Sequence, residues 1–292
     1  MLWLLIAASG PAFASGLAED MTKNVSPRRR LFFTAVSAGL AVWWLDAQLV
    51  RTAIPGVDML MPWIPFAIGL TILVVTGVAN AVNIIDGFNG LAAVCVLMMV
   101  LAIAYVAFQV GDSFILTTAL ILTGAVLGFF VWNFPAGLIF LGDGGAYFLG
   151  FVLAELCVLL LHRNPQVSPI FTLLLCAYPI FETLFSIYRK KFLRSMSPGM
   201  PDGVHLHMLV YKRLMRLMVG STSDRRETRR NSMTSPYLWV LCMMSVIPAV
   251  LWWNNTFVLS CFLVLFMVSY VFLYWSIVRF KTPKWLVFRR HE

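Results

Sequence analysis

Four polar clusters interrupt a chain that is otherwise poor in charge. The first is the acidic pair Glu19-Asp20, and the second is Asp86 within Asn80-Ala81-Val82-Asn83-Ile84-Ile85-Asp86-Gly87-Phe88-Asn89-Gly90-Leu91-Ala92. The third is Asp143 in Gly142-Asp143-Gly144-Gly145, and the fourth runs from Tyr188-Arg189-Lys190-Lys191 to Pro201-Asp202-Gly203-Val204-His205-Leu206-His207. A carboxylate amid small residues can ligate a hard cation, and open backbone N–H groups can take phosphate oxygens. Asn80 and Asn83 are three residues apart and share a helix face, while Gly87 and Gly90 permit a tight turn and close approach to a ligand. Clustered Arg and Lys beside His suit a diphosphate or a phospholipid headgroup. His205 and His207 face the same way only in an extended segment. There they can donate to phosphate or act as a general acid.

Each cluster has a plainer explanation. A lone G-D-G-G is a helix start with an acidic cap, isolated Asn can be interhelical glue, and a basic run is usually a cytoplasmic flank. The i, i+2 histidines are no metal signature by themselves. Glu155 and Glu182, inside apolar runs, read either as structural supports or as residues standing behind a site.

The elements that must position these residues are membrane helices. The chain has 292 residues, 60% hydrophobic and 12% charged, with a mean hydropathy of +0.85. A soluble domain carries about 25% charge, so disorder, a collagen-like fibre and an ordinary soluble enzyme are excluded. The expected fold is all-α, a single polytopic membrane helix bundle over 1–292. Nine spans are expected, at 1–18, 31–48, 61–85, 90–109, 113–133, 138–161, 168–188, 237–253 and 256–278. The first imitates a signal peptide, with Ala12-Phe13-Ala14 resembling a cleavage site. It has no basic residue before the apolar run, however, and reads as a span. The five cysteines lie in apolar runs and support neither a zinc site nor a disulfide framework. No sequence repeat and no pair of broken helices of the transporter type stands out.

The net charge of +9 speaks first of orientation and not of nucleic acid. Loop 19–30 holds four basic residues, the 189–236 stretch eleven and the tail 279–292 five, so 20 of 22 fall on one face by parity. That face is expected to be cytoplasmic, with the N-terminus outside, the C-terminus inside and 189–236 as the main cytoplasmic loop. Glu19-Asp20, Asp86 and Asp143 then share one face and one depth. Asp46, Asp58 and Asp112 fall on the other face, as ordinary loop residues.

Taken together, the N-A-x-N-x-x-D-G-x-N-G-L-A run at 80–92, F-L-G-D-G-G at 140–145 and P-D-G-x-H-x-H at 201–207 resemble the polyprenyl-phosphate N-acetylhexosamine-1-phosphate transferases. Gly16-Leu17-Ala18-Glu19-Asp20, followed by Ser26-Pro27-Arg28, fits the same family. The resemblance covers 16–213, with four motifs in order. It implies an enzyme of the bacterial inner membrane in which a polyprenyl phosphate oxygen attacks the β-phosphorus of a UDP-sugar and UMP leaves, dependent on Mg²⁺, with Mn²⁺ an admissible substitute. It also implies Asp143 as metal ligand and Glu19, Asp20 and Asp86 as the remaining catalytic acids. Asn83, Gly87, Phe88, Asn89 and Phe140 fall on nucleotide positions, and Arg189, His205 and His207 on the sugar-diphosphate side. Implied partners are a UDP-sugar, polyprenyl phosphate and membrane lipid, with room for a homodimer.

Three departures accompany the match. Many members have Asp-Asp where this chain has Glu19-Asp20, and many have Asp where it has Asn89. Members usually carry two further helices before the first acidic motif, so the chain reads as that pattern minus two, through a misassigned start or as a natural short form. The H-L-H form and Asn89 resemble transferases that prime O-antigen or other surface polysaccharides, using GlcNAc or a deoxy sugar such as FucNAc or QuiNAc. The alternatives are the phospho-muramoyl-pentapeptide transferase subgroup, a transporter or flippase, and an inactive truncated relative.

Overall fold

The computed structural model describes residues 1–193, 203–215 and 224–279. Among these every regular element is helical, as a bilayer demands of an open-ended chain, since only intrachain bonds satisfy the backbone there. Long helices are α1 (Leu2–Thr22), α2 (Pro27–Leu45), α4 (Ile64–Ile85), α5 (Leu91–Val110), α6 (Ser113–Asn133) and α7 (Gly142–Arg163). A short α3 (Pro55–Asp58) precedes α4. Next come α8 (Pro169–Leu175), α9 (Ala177–Tyr188), a π turn at Arg189–Leu193, α10 (Leu206–Leu209) and a π turn at Val210–Met215. Two long helices, α11 (Asp224–Leu251) and α12 (Thr256–Val278), complete the described chain.

Seven of these helices are long and apolar enough to cross a membrane, and an eighth span forms if α8 and α9 count as one. Two of the nine expected spans depart from a simple apolar helix. Helix α2 falls outside that count because Arg28, Arg29 and Arg30 lie in its first turn, yet it runs from Asp143, which Arg30 meets, to His162, which Asp46 meets, and so traverses the bundle. The expected span at 168–188 is broken between α8 and α9 by a bend of 71°. Pro179 lies in the first turn of α9, and a proline ring there opposes the carbonyl four residues earlier, that of Leu175.

Helix α7 is the axis of the bundle. Its most apolar window is 89% buried, against 17% for α12, so α7 is packed by protein and α12 faces lipid. Helices α1 and α4 flank α7. The packing against α1 is backbone to backbone: a side chain on Gly16 would meet Asp143 C, Asp143 O and Gly144 N at 2.6 Å. This contact sets the depth of α1 against the start of α7.

The stretch 189–236, expected as one loop, is partly helical, and α11 begins at Asp224 and runs through Pro236. Its polar first half packs on protein. Asn231, Ser232 and Ser235 hydrogen-bond to the 89 and 135 turns, and Arg230 donates to the Tyr211 hydroxyl at 3.1 Å. Pro201, Asp202, Arg194, Arg216 and the basic residues beyond 279 lie outside the described residues.

Candidate active site

Asp20, Asp86 and Asp143 meet at one end of the bundle, on a cavity of about 230 Å³. Asp20 lies in the last turn of α1, Asp86 caps the C-terminus of α4, and Asp143 is in the first turn of α7. Asp20 accepts the backbone N–H groups of Asp143 at 3.0 Å and Gly144 at 2.9 Å. A helix N-terminus presents such unpaired donors and a positive dipole end, so the acid at the end of α1 caps α7. Gly142 makes this possible: its φ is +69°, and a side chain there would strike Asp20 Oδ2 at 2.6 Å.

Asp143 is held on both oxygens. Asn83 donates to Oδ1 at 2.7 Å, and Arg30 forms a salt bridge to Oδ2. Arg30 is one residue of the site that sequence reasoning missed, because it was counted among orientation charges. Its signal was position: three arginines in the first turn of α2 oppose the helix dipole and call for an acid nearby. Tyr147, one turn after Asp143, donates to Asn80 Oδ1 at 3.1 Å, so both asparagines of α4 face α7. Burial, with the Asp143 and Asp20 carboxylates beside it, pushes Asp86 from 3.8 up to about 7.

Gly87, Phe88, Asn89 and Phe140 also line the cavity, Phe140 with 75% of its surface exposed at the mouth. Asn89 is buried and pinned. Its N–H donates to Asn231 Oδ1 at 2.8 Å, and its amide donates to Pro135 O at 3.1 Å. Asn133, at the end of α6, accepts from Gly90 N at 2.6 Å and donates to Ile139 O at 2.8 Å. Asn133 and Asn231 complete the wall. Neither stands in a recognised motif, and only the tertiary fold brings them in.

Other expected site residues fall outside the lining. Glu19 accepts from Val25 N at 2.7 Å and fixes the turn between α1 and α2. Asn83 lies behind Asp143. Arg189 is buried, with donors on Val204 O and the Tyr274 hydroxyl, both at 2.8 Å, so it ties the 204 segment to α12. His205 and His207 stack with ring centres 5.2 Å apart, although the segment is not extended as expected: His205 is the N-cap with ψ 153°, and Leu206 and His207 open α10. His207 packs edge-on against Phe88 at 5.7 Å. Burial pushes His207 down to about 4, against the pull of the Glu182 carboxylate, so this imidazole is neutral near pH 7.

The opposite end carries its own polar cluster. Arg163 donates to Asp112 at 2.6 Å, Arg51 donates to Asn164 O and Val167 O, and His162 lies 3.6 Å from Asp46. Asp58 accepts from Thr52. These acids close loops, far in the chain fold from the cavity.

Among the described residues no three His, Cys, Asp or Glu side chains form a ready-made metal cluster. The donor chemistry nevertheless suits Mg²⁺, which is usually held by one or two carboxylates with water and substrate phosphates completing the shell. Asp86, whose carboxyl burial and then its acidic neighbours push up to about 7, is the kind of group a divalent cation relieves.

Comparison with known proteins agrees with this geometry. Residues 2–161, more than half of the chain, match the family described as glycosyl transferase family 4. A Bacillus subtilis protein named probable undecaprenyl-phosphate N-acetylglucosaminyl 1-phosphate transferase is 30% identical over 203 residues, 69% of this chain and 52% of that protein. A Thermotoga maritima undecaprenyl-phosphate alpha-N-acetylglucosaminyl 1-phosphate transferase is 26% identical over 204 residues, 70% of this chain and 60% of its own length. A Streptococcus thermophilus phospho-N-acetylmuramoyl-pentapeptide-transferase is 42% identical over 86 residues, 30% of this chain and 25% of its own length. The chain thus spans about half the length of the first of these relatives and less than two thirds of the others. The matched segment carries Asp20, Asp86 and Asp143, and the chain belongs to glycosyl transferase family 4.

Proposed function

We propose that this protein transfers a hexosamine-1-phosphate from a UDP-sugar to a polyprenyl phosphate, releasing UMP. The carrying observation is the convergence of Asp20, Asp86 and Asp143 on one cavity whose wall includes Phe88, Asn89 and Phe140. The names of the Bacillus and Thermotoga relatives support the same reaction.

The residues divide the work by position. Asp143, set by Asn83 and Arg30, and Asp86 are the groups that would hold Mg²⁺. A bound Mg²⁺ would supply charge neutralisation at the diphosphate, which is most of what phosphoryl transfer requires. Asp20 holds the start of α7, and with it the main chain of Asp143, in place. Phe140 and Phe88 offer ring surface to a base, while Asn89 and Asn231 shape the end of the cavity. The lipid phosphate is largely ionised at neutral pH, so alignment matters more than a general base.

The bundle end with the acids also carries Lys23, Arg28, Arg29 and Arg30. That charge supports a cytoplasmic active site in a bacterial inner membrane. His205-Leu206-His207, where the muramoyl-pentapeptide subgroup has three histidines, supports a sugar substrate such as UDP-GlcNAc or a deoxy-N-acetyl analogue, and with it O-antigen or other surface-polysaccharide priming. The test is purified protein with Mg²⁺, polyprenyl phosphate and a panel of labelled UDP-sugars. UMP and lipid-linked sugar are the expected products. No UMP from any donor overturns the reading, and UMP only from UDP-muramoyl-pentapeptide transfers the chain to the other subgroup.

A further inference from the structure

Glu182 sits in α9, 1% exposed, accepts two hydrogen bonds and has two imidazoles standing against it. The Leu206 N–H donates to Oε1 at 2.6 Å and the Tyr270 hydroxyl to Oε2 at 3.0 Å. Nδ1 of His205 and Nδ1 of His207 lie 3.3 and 3.5 Å from Oε1. Two hydrogen bonds and two adjacent imidazoles offset a buried charge that would otherwise be costly. The groups that face it come from two separate parts of the chain, the 205–207 segment and α12, so Glu182 ties both to α9.

The arrangement fixes the imidazoles. Nδ1 of both rings stands 3.3–3.5 Å from the same carboxylate oxygen without hydrogen-bond geometry; that charge favours the proton of the neutral His207 ring on Nδ1, with Nε2 facing away. For His207, Nε2 faces Gly87: a methyl group on Gly87 would stand 3.6 Å from it. The same ring packs edge-on against Phe88. Gly87 and Phe88 are cavity lining, so an unbroken run of contacts leads from the Glu182 carboxylate to the cavity wall.

We infer that Glu182 is a positioning residue of this site: it clamps Nδ1 of His205 and His207 and so sets His207 Nε2 against the Gly87–Phe88 turn that receives the UDP-sugar. The kinetic part of this inference rests on the transferase reading, whereas the structural part does not.

Two measurements test it, on the full-length protein in detergent and on the variants Glu182→Gln and Tyr270→Phe. A carboxamide has one acceptor oxygen in place of two, and Tyr270→Phe removes one donor from Oε2. The first is the KM-against-kcat split for the UDP-sugar. Glu182→Gln is expected to raise KM about tenfold with kcat nearly unchanged, and Tyr270→Phe to raise it about threefold, in proportion to the charged hydrogen bonds lost. The second is ¹⁵N-histidine NMR, in which wild-type His207 is expected as the Nδ1–H tautomer and the Glu182→Gln protein as a mixture. A lowered kcat with unchanged KM, or identical tautomers in wild type and variant, overturns the inference. If Glu182→Gln does not fold, Tyr270→Phe alone decides by the same criteria. If the wild type releases no UMP, the transferase reading fails, and the tautomer comparison still decides the clamp.

Discussion

The carboxylate of Asp20 caps the helix that carries Asp143, accepting the N–H groups of Asp143 and Gly144 at 3.0 and 2.9 Å. Two acids far apart in sequence are thereby locked together through the side chain of one and the backbone of the other. Loss of an N-cap costs about 0.5–2 kcal/mol, so Asp20→Ala is expected to lower the melting temperature in detergent and to reduce turnover. Asp20→Asn, which keeps one acceptor oxygen, should fall between. An Ala variant that melts with the wild type would remove the cap from the account.

The contact between α1 and α7 leaves no room for a methyl group at Gly16, whose added carbon would overlap main-chain atoms at 2.6 Å. Main chain cannot step aside as a side chain can, and overpacking costs typically about 1–3 kcal/mol. Gly16→Ala is therefore expected to destabilise the protein and displace Asp20 from α7. Unchanged melting and unchanged UMP release would contradict this.

Asp143→Asn is expected to lower UMP release by on the order of 10²–10³, the scale of removing one preorganised electrostatic group. The protein should still reach the membrane. Arg30→Ala, which frees Asp143 Oδ2, should also depress turnover while altering the Mg²⁺ concentration needed for half-maximal rate. Full activity of Asp143→Asn would sink the metal assignment.

Asp86 sets a pH dependence in the metal-free protein. Its carboxyl titrates at about 7 when folded, against an ordinary value of 3.8. Between those values the folded state holds a proton that the unfolded chain has lost. Stability from this group is therefore fully present below about 4 and declines as pH rises to about 7. In chelator, the melting temperature of Asp86→Asn should change less between pH 5 and 7 than that of the wild type. Parallel curves would refute the shift.

At the far end, Asp112 caps α6 through Ile115 N at 3.2 Å and pairs with Arg163 and Asn164. Burial alone would raise its carboxyl, but the Arg163, Ile115 and Asn164 hydrogen bonds hold it below the usual carboxylate range. Its stabilisation is present above the ordinary carboxylate value and is lost as pH falls through the depressed one. Asp112→Ala should cost about 1–3 kcal/mol of stability with KM for the UDP-sugar unchanged. A raised KM would show that the two ends of the bundle are coupled.

The all-helical membrane fold was legible because hydrophobic runs of span length have few other outcomes in water or lipid. The acids were legible because charge is costly near a bilayer, so Asp20, Asp86 and Asp143 stood out against apolar flanks. What stayed hidden was partnership. Arg30 looked like one orientation charge among many, and nothing local in Asn133 or Asn231 announces that they finish the cavity. Nor do the expected roles of Arg189 and Glu19 reveal their local bonds, to Val204 and Tyr274 and to Val25. The broken α8–α9 span was announced by Pro179 alone, inside a hydropathy run that looked continuous.

The bond from Asn89 to Asn231 joins residues 142 positions apart, and it has a consequence for biosynthesis. A growing chain inserted through α7 already has its three acids assembled, but its cavity lacks the wall that α11 brings. Closure waits until the ribosome has delivered the C-terminal third. The lining of one cavity is thus spread from Asp20 to Asn231, so a chain that ends before α11 lacks part of that wall.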